Sequence, residues 1–284
     1  MEAATPNLDR RGLILSGAAA VVATSARADA PDLKLDGKFQ QSGFAFGRTS
    51  PRAGLSVDGV AVGQASRSGL FVIGFDRDSA PAARLDVTGA SGDSAQTIVV
   101  APTQYDIQRI DGLPDDQVAP SDPALLARIK AEAQRKAAGF ASNIDADDFR
   151  DGFVMPVQGA RLSARFGGQR ILNGQPSRPH YGSDLAAPIG TPVRAPAGGH
   201  VCFAESNLHF DGALVMIDHG QGLISCYLHL SRVDAVAGRR IERGEMVGAV
   251  GMEGRATGPH LCWRMKWRGR NLDPMLMVGQ AAPV

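Results

Sequence analysis

Between residues 33 and 100 the apolar positions come in short runs broken by Gly, Ser, Asp and Pro. This is the spacing of strands joined by tight turns. Leu55 and Val57 precede Asp58-Gly59, and Val60 and Val62 follow it. That dipeptide tolerates the positive φ that a two-residue hairpin needs at both central positions. Apolar runs at 70–75, 85–88 and 97–100 continue the pattern, which predicts a small β-sandwich over 33–100. The stretch holds neither histidine nor cysteine, so its expected role is as a spacer or contact module rather than in metal chemistry.

The period changes after Pro120. Ser121-Asp122-Pro123 offers a helix N-cap followed by proline at the first helical position. Leu125, Ile129 and Ala133 then recur at helical spacing on a segment rich in Ala, Lys, Arg and Glu. The pattern predicts one amphipathic helix at about 122–138, packed on one domain or bridging two, inside a connecting segment 101–152. The polar, acidic stretch 143–151 reads as the boundary of a second domain. From Phe153 onward, Gly and Pro again punctuate short apolar runs, which predicts an antiparallel β domain over 153–276. The expected fold class is therefore mainly β: a small N-terminal sandwich, one connecting helix and a C-terminal antiparallel β domain.

The first residues follow a different pattern. Arg10-Arg11 precede an apolar run at 13–24, and small residues follow up to Ala28 and Ala30. Basic, apolar, then small is the order of an export signal, expected over 1–28 with cleavage near Ala28 or Ala30. The apolar run has 12 residues, short of the ~20 that a membrane-spanning helix requires. No stable membrane span is therefore expected. The arginine pair resembles a twin-arginine signal, with a general secretory signal as the alternative. Both place the protein in the periplasm or otherwise outside the cytoplasm.

Removing 1–28 takes Arg10, Arg11 and Arg27 from 30 basic residues and Glu2 and Asp9 from 29 acidic ones, leaving 27 of each. A formally neutral chain gives no reason to expect nucleic acid as a partner. Of three cysteines, Cys202 and Cys226 sit in strand-like runs and are expected in the core or as a disulfide pair. Cys262 stands apart from them.

All six histidines lie in the second half. His180 and Asp184 are four residues apart, His229 lies in CYLHLS, and His260 and Cys262 lie in GPHLCW. Neutral imidazole, carboxylate and thiolate are all zinc ligands, and catalytic zinc sites keep three protein ligands and one open position. Residues two apart on a strand share a face, so His260 and Cys262 would project together. If that face meets His180 and Asp184, a site for one Zn²⁺ forms from His180, Asp184 and Cys262, with His260 alongside.

The order H-x-x-x-D followed by AAPIGTPVRAPAGG, then DHGQG, YLHLS and GRATGPHLCW, resembles the lysostaphin and LytM-like zinc endopeptidases, peptidase family M23, which cut peptidoglycan peptides. The resemblance covers roughly 153–274. It implies metal ligation by His180 and Asp184 and catalytic roles for His229 and His260. The family's third ligand is the second histidine of G-P-H-x-H, a position that here is Cys262. Thiolate for imidazole lowers the charge of a zinc centre from +1 to zero, which weakens its effect on water and on a carbonyl. The H-E-x-x-H helix of other zinc peptidases is absent from the sequence, so no glutamate base is expected by that route. The resemblance implies a peptidoglycan endopeptidase. The cysteine leaves a second reading: a weak or inactive domain that binds cell wall or regulates another wall hydrolase or a division partner.

Overall fold

A computed structural model describes residues 33–90 and 92–284, together with Met1. The expected export signal lies, apart from Met1, outside the described residues. The chain is mainly β, with one long helix. No helix among the described residues is long and apolar enough to cross a membrane.

Strands Lys34–Lys38, Phe44–Arg48 and Leu70–Gly74 form one antiparallel sheet. Val60–Gln64, Gly54–Val57, Ala82–Gly89 and Gly92–Val99 form a second, in that order. Asp58 and Gly59 take φ of 53° and 76° in the hairpin turn, the left-handed values read from their identity. Along Ala82–Gly89 burial alternates, with Ala83, Leu85 and Val87 turned to the core. Leu70–Gly74 is buried at every position because both of its faces are covered. On one of them Gly74 backs onto the second half of the chain. A Cβ on Gly74 would lie 2.8 Å from Leu272 Cδ2 and 3.2 Å from Trp267 Cβ. The stretch 143–151 contributes Phe149, fully buried and stacked on Phe46 at 5.3 Å between centroids. One hydrophobic cluster therefore runs from Phe44 through Phe149 to Trp267 and Met277.

The helix spans Pro123–Phe140, and the Asp122 carboxylate accepts from Leu125 N at 2.7 Å as its N-cap. Its contact face holds the expected Leu125 and Ile129, both half-buried, but continues through the buried Glu132 and Gly139 in place of Ala133, which is exposed. The reason is that polar groups do much of the docking. Glu132 receives the backbone N–H of His209 at 2.9 Å and pairs with Arg128 at 2.8 Å. Arg135 Nε reaches both oxygens of Glu205 at 3.0 Å, and Lys136 pairs with Asp211. At the C-terminal end Gly139 permits close approach, since a Cβ there would lie 3.1 Å from both Met216 Sδ and Phe203 Cβ.

The second half is built on one large sheet in the order Arg240–Ile241, Gly199–Leu208, Gly212–Asp218, Leu223–Leu230, His260–Trp267, Ser183–Ala186, Arg161–Ala164. Every pairing in it is antiparallel. Its two central strands are buried on both faces, against the main cluster and against a smaller one containing Met216, Ile224 and Leu228. Cys202, Cys226 and Cys262 are all free, which corrects the disulfide alternative. Strand Gly212–Asp218 separates the strands of Cys202 and Cys226, and two strand spacings are about 9–10 Å, beyond disulfide reach.

One element of the connecting segment was not legible. Ile107–Ile110 is a strand, and it pairs in parallel with Gln169–Leu172. Its sequence, IQRI, is too short and polar to show a period; its partner's backbone holds it, with Gln169 N donating to Asp106 O and Asn173 N to Ile110 O.

Candidate metal centre

Asp184 on strand Ser183–Ala186 stands directly opposite Cys262 on strand His260–Trp267. The same register places Ala186 opposite His260. His180 lies just before the first strand, clamped by its backbone: its N–H donates to Gly168 O at 2.8 Å and its carbonyl accepts from Gly167 N at 2.7 Å. Between them, Gly182 leaves the space that the thiol occupies, since a Cβ there would be 2.8 Å from Cys262 Sγ.

The structure thus brings together the three candidate ligands. His180 Nε2 is 3.1 Å from Asp184 Oδ1 and 3.3 Å from Cys262 Sγ, and one ligand atom from each lies within 4.8 Å of the others. Around a tetrahedral zinc, N···O and N···S edges would be about 3.3–3.6 Å, given bonds of about 2.0–2.3 Å. Asp184 Oδ1 is buried without a well-aligned hydrogen bond, as an oxygen awaiting a cation would be. The residues present fit a zinc ion.

Burial lowers the His180 pKa to about 4, so its imidazole is neutral and ligand-competent at neutral pH. Burial works against the Asp184 charge, but contact with His180, and then His260 and Arg170, holds its carboxyl well below the usual range. Burial, aided by Asp184, pushes the Cys262 thiol up to about 12, so ligation requires deprotonation on metal binding.

His229 and His260 face each other across the site, with ring centroids 4.9 Å apart. His229 Nδ1 lies 2.7 Å from Glu253 O, and His260 Nδ1 lies 2.8 Å from Gly258 O. A carbonyl only accepts, so both Nδ1 atoms donate, which leaves the Nε2 lone pairs free. His260 Nε2 is 3.6 Å from Asp184 Oδ1. Burial, then the neighbouring His260, lowers the His229 pKa to about 3. His229 also has φ of 63°, a costly backbone state for a non-glycine residue, fixed in part by its N–H donating to Asp211 O at 2.9 Å.

Three arginines were missed. Arg264 lies beside Cys262, its Cγ and the thiol sulfur both 2.8 Å from where a Cβ on Gly182 would sit, Arg170 Nη2 is 3.7 Å from Asp184 Oδ2, and Arg255 is near enough to both guanidinium groups to be repelled by them. Arg264 follows Cys262 by two residues, so the face-sharing argument applied to His260 extends to it. Arg170 carried no such signal, because it arrives through the parallel strand pair. His219 is structural: its ring bridges Gly198 O at 2.6 Å and Ser225 Oγ at 2.7 Å. Ile110 and Leu113 line, together with Asp184, His229 and His260, a narrow space of about 50 Å³. Larger cavities open on either side, about 740 Å³ toward His260 and about 540 Å³ toward His229.

The fold and site define a class: an antiparallel β scaffold presenting a buried His–Asp–thiol triangle faced by two imidazoles. The model of peptidase family M23 matches residues 178–274. A solved structure from Pseudomonas aeruginosa assigned to peptidase M23 is 30% identical, aligns over 85% of this chain and 96% of its own, and has a TM-score of 0.65. The chain belongs to peptidase family M23. Similar curated proteins include the peptidoglycan DD-endopeptidase ShyA of Vibrio cholerae, 41% identical over 34% of this chain and 22% of its own length. The DD-carboxypeptidase/endopeptidase Mpg of Neisseria meningitidis is 38% identical over 43% of this chain and 28% of its own. The match thus spans roughly a quarter of the length of those relatives.

Proposed function

We propose that this protein is an exported, zinc-dependent endopeptidase that hydrolyses peptide bonds in peptidoglycan. His180, Asp184 and Cys262 hold one Zn²⁺. The observation that carries this reading is the convergence of His180 Nε2, Asp184 Oδ1 and Cys262 Sγ beneath two histidines whose Nδ1 atoms are already committed to carbonyls. Zinc at such a site supplies Lewis acidity and makes water a nucleophile near neutral pH. His229 and His260 accept and return the proton at Nε2, and as imidazolium either can stabilise an oxyanion. The names of the relatives support peptidoglycan peptides as substrate.

The arginines revise the charge argument against Cys262. Arg264 and Arg170 place two guanidinium groups beside the thiol and Asp184, offsetting the negative charge that a thiolate adds. The second reading, a weak or silent domain that binds wall or regulates another hydrolase, draws support from the narrowness of the space, about 50 Å³, that Asp184, His229 and His260 share with Ile110 and Leu113.

Zinc content of the purified chain and mass spectrometry of peptidoglycan digests test both readings. We expect about one zinc per chain, a marked loss in Cys262→Ser, and new peptide ends that vanish in His260→Ala. Zinc retained at full occupancy in Cys262→Ser would remove that ligand from the proposal. Full occupancy in the parent chain without any cleavage would leave only the second reading.

A further inference from the structure

The cavity of about 540 Å³ beside His229 is lined by Lys136, Arg170, Arg178, Arg255, Arg264 and Lys266, and Asp211 is its single acidic wall residue. Asp211 pairs with Lys136, and Arg264 Nη1 reaches its other oxygen only at 4.0 Å. Other cations on the wall are held by rings instead of acids. The Arg255 guanidinium lies 4.8 Å from the centre of the Phe210 ring, and Lys266 Nζ lies 4.4 Å from that of Phe140. Rings hold cations in place without cancelling their charge for a ligand. Arg255 also donates to Gln117 O at 3.1 Å, which fixes its orientation. Arg170 Nε and Arg264 Nε are buried N–H donors without a partner. Donors left so are costly unless a ligand completes them.

We propose that this cavity is a carboxylate subsite, seating a free carboxylate of the substrate peptide next to the bond to be cut. The proposal rests on the peptidase reading and names a feature of its substrate. The cavity's volume suits a peptide segment better than an inorganic ion. It adjoins the site through Arg170, Arg255 and His229, which line both this cavity and the narrow space at the candidate ligands. A carboxylate bound there takes charge-assisted hydrogen bonds from planar guanidinium groups.

The experiment compares a cross-linked stem-peptide dimer with its counterpart in which every free carboxylate is a primary carboxamide. Binding is measured by calorimetry to the zinc-loaded full chain carrying His260→Ala, and cleavage of both peptides is followed with the parent chain. Losing one or two charged hydrogen bonds should weaken binding of the amide about ten- to a hundredfold. That gap should shrink in Arg255→Gln and in Arg178→Gln, the second being at an exposed position that folding tolerates. The gap appearing without cleavage of either peptide would retain the subsite and reject the peptidase reading. Equal binding of acid and amide, or a gap unchanged in both variants, would overturn the subsite even if both peptides are cut. Millimolar phosphate binding with no acid–amide gap would overturn it in favour of a free-anion site.

Discussion

At the scale of single residues, the candidate centre depends on a missing side chain. Gly182→Ala would drive a methyl against Cys262 Sγ and Arg264 Cγ, both 2.8 Å from the position of its Cβ, with Trp263 O at 3.1 Å behind them. The sulfur must move, so zinc affinity should fall roughly tenfold, the lower end of what disturbing a ligand's support costs. Competition with a chromogenic chelator reads this directly, and unchanged affinity would show that Cys262 is not held by that contact. His219 gives a residue-scale pH effect away from the site. Burial lowers its pKa to about 4, against about 6.5 when unfolded, so below pH 6.5 the unfolded chain takes up the proton first. Stability from this group is complete above pH 6.5 and is lost as pH falls toward 4, amounting to about 2 kcal/mol between pH 7 and 5. Denaturant melts at those two pH values should therefore converge in His219→Gln relative to the parent chain. Equal pH dependence in both proteins would refute the assignment.

At the scale of elements, the long helix separates what the sequence shows from what it hides. Its start was legible because Asp122 and Pro123 act locally, through a cap and a fixed φ. Its docking face is legible only in part: Leu125 and Ile129 lie on it, but it continues through Glu132 in place of Ala133, because Glu132 is buried by partners that are distant in sequence, such as the His209 N–H. We expect Glu132→Ala to cost about 2 kcal/mol, since it leaves that amide unsatisfied. Ala133→Lys, at the position the pattern favoured, should lie within about 0.5 kcal/mol of the parent. Urea denaturation of the two variants decides between the faces. The candidate site shows the same division. Asp184 opposite Cys262 is a cross-strand pair whose partners could be suspected from motif and period. The approach of Arg170 follows from a parallel pairing that no local pattern announces.

At the scale of the molecule, the two regions that composition separates are joined by one core. Phe46 stacks on Phe149, Gly74 lies against Leu272 and Trp267, and Arg270 donates to Gly74 O at 3.0 Å. Scanning calorimetry should therefore give a single transition with calorimetric and van't Hoff enthalpies in agreement, in place of two domain melts. Two resolved transitions would show that the shared cluster does not couple the halves. The sequence concealed this seam because glycine contributes no hydrophobic signal, although at residue 74 its bareness lets a strand and a tryptophan close together. The seam also sets an order of events. Asp273 N donates to Ser42 O, and Asn271 N to the Asp76 carboxylate, so the ends of the early strands are fastened by residues about 200 positions further along the chain. Such closures are slow to form and leave apolar strands waiting. The first half of this chain is thus completed only when a segment about 200 residues further on docks against it, and the stretch around 271–273 acts as the latch.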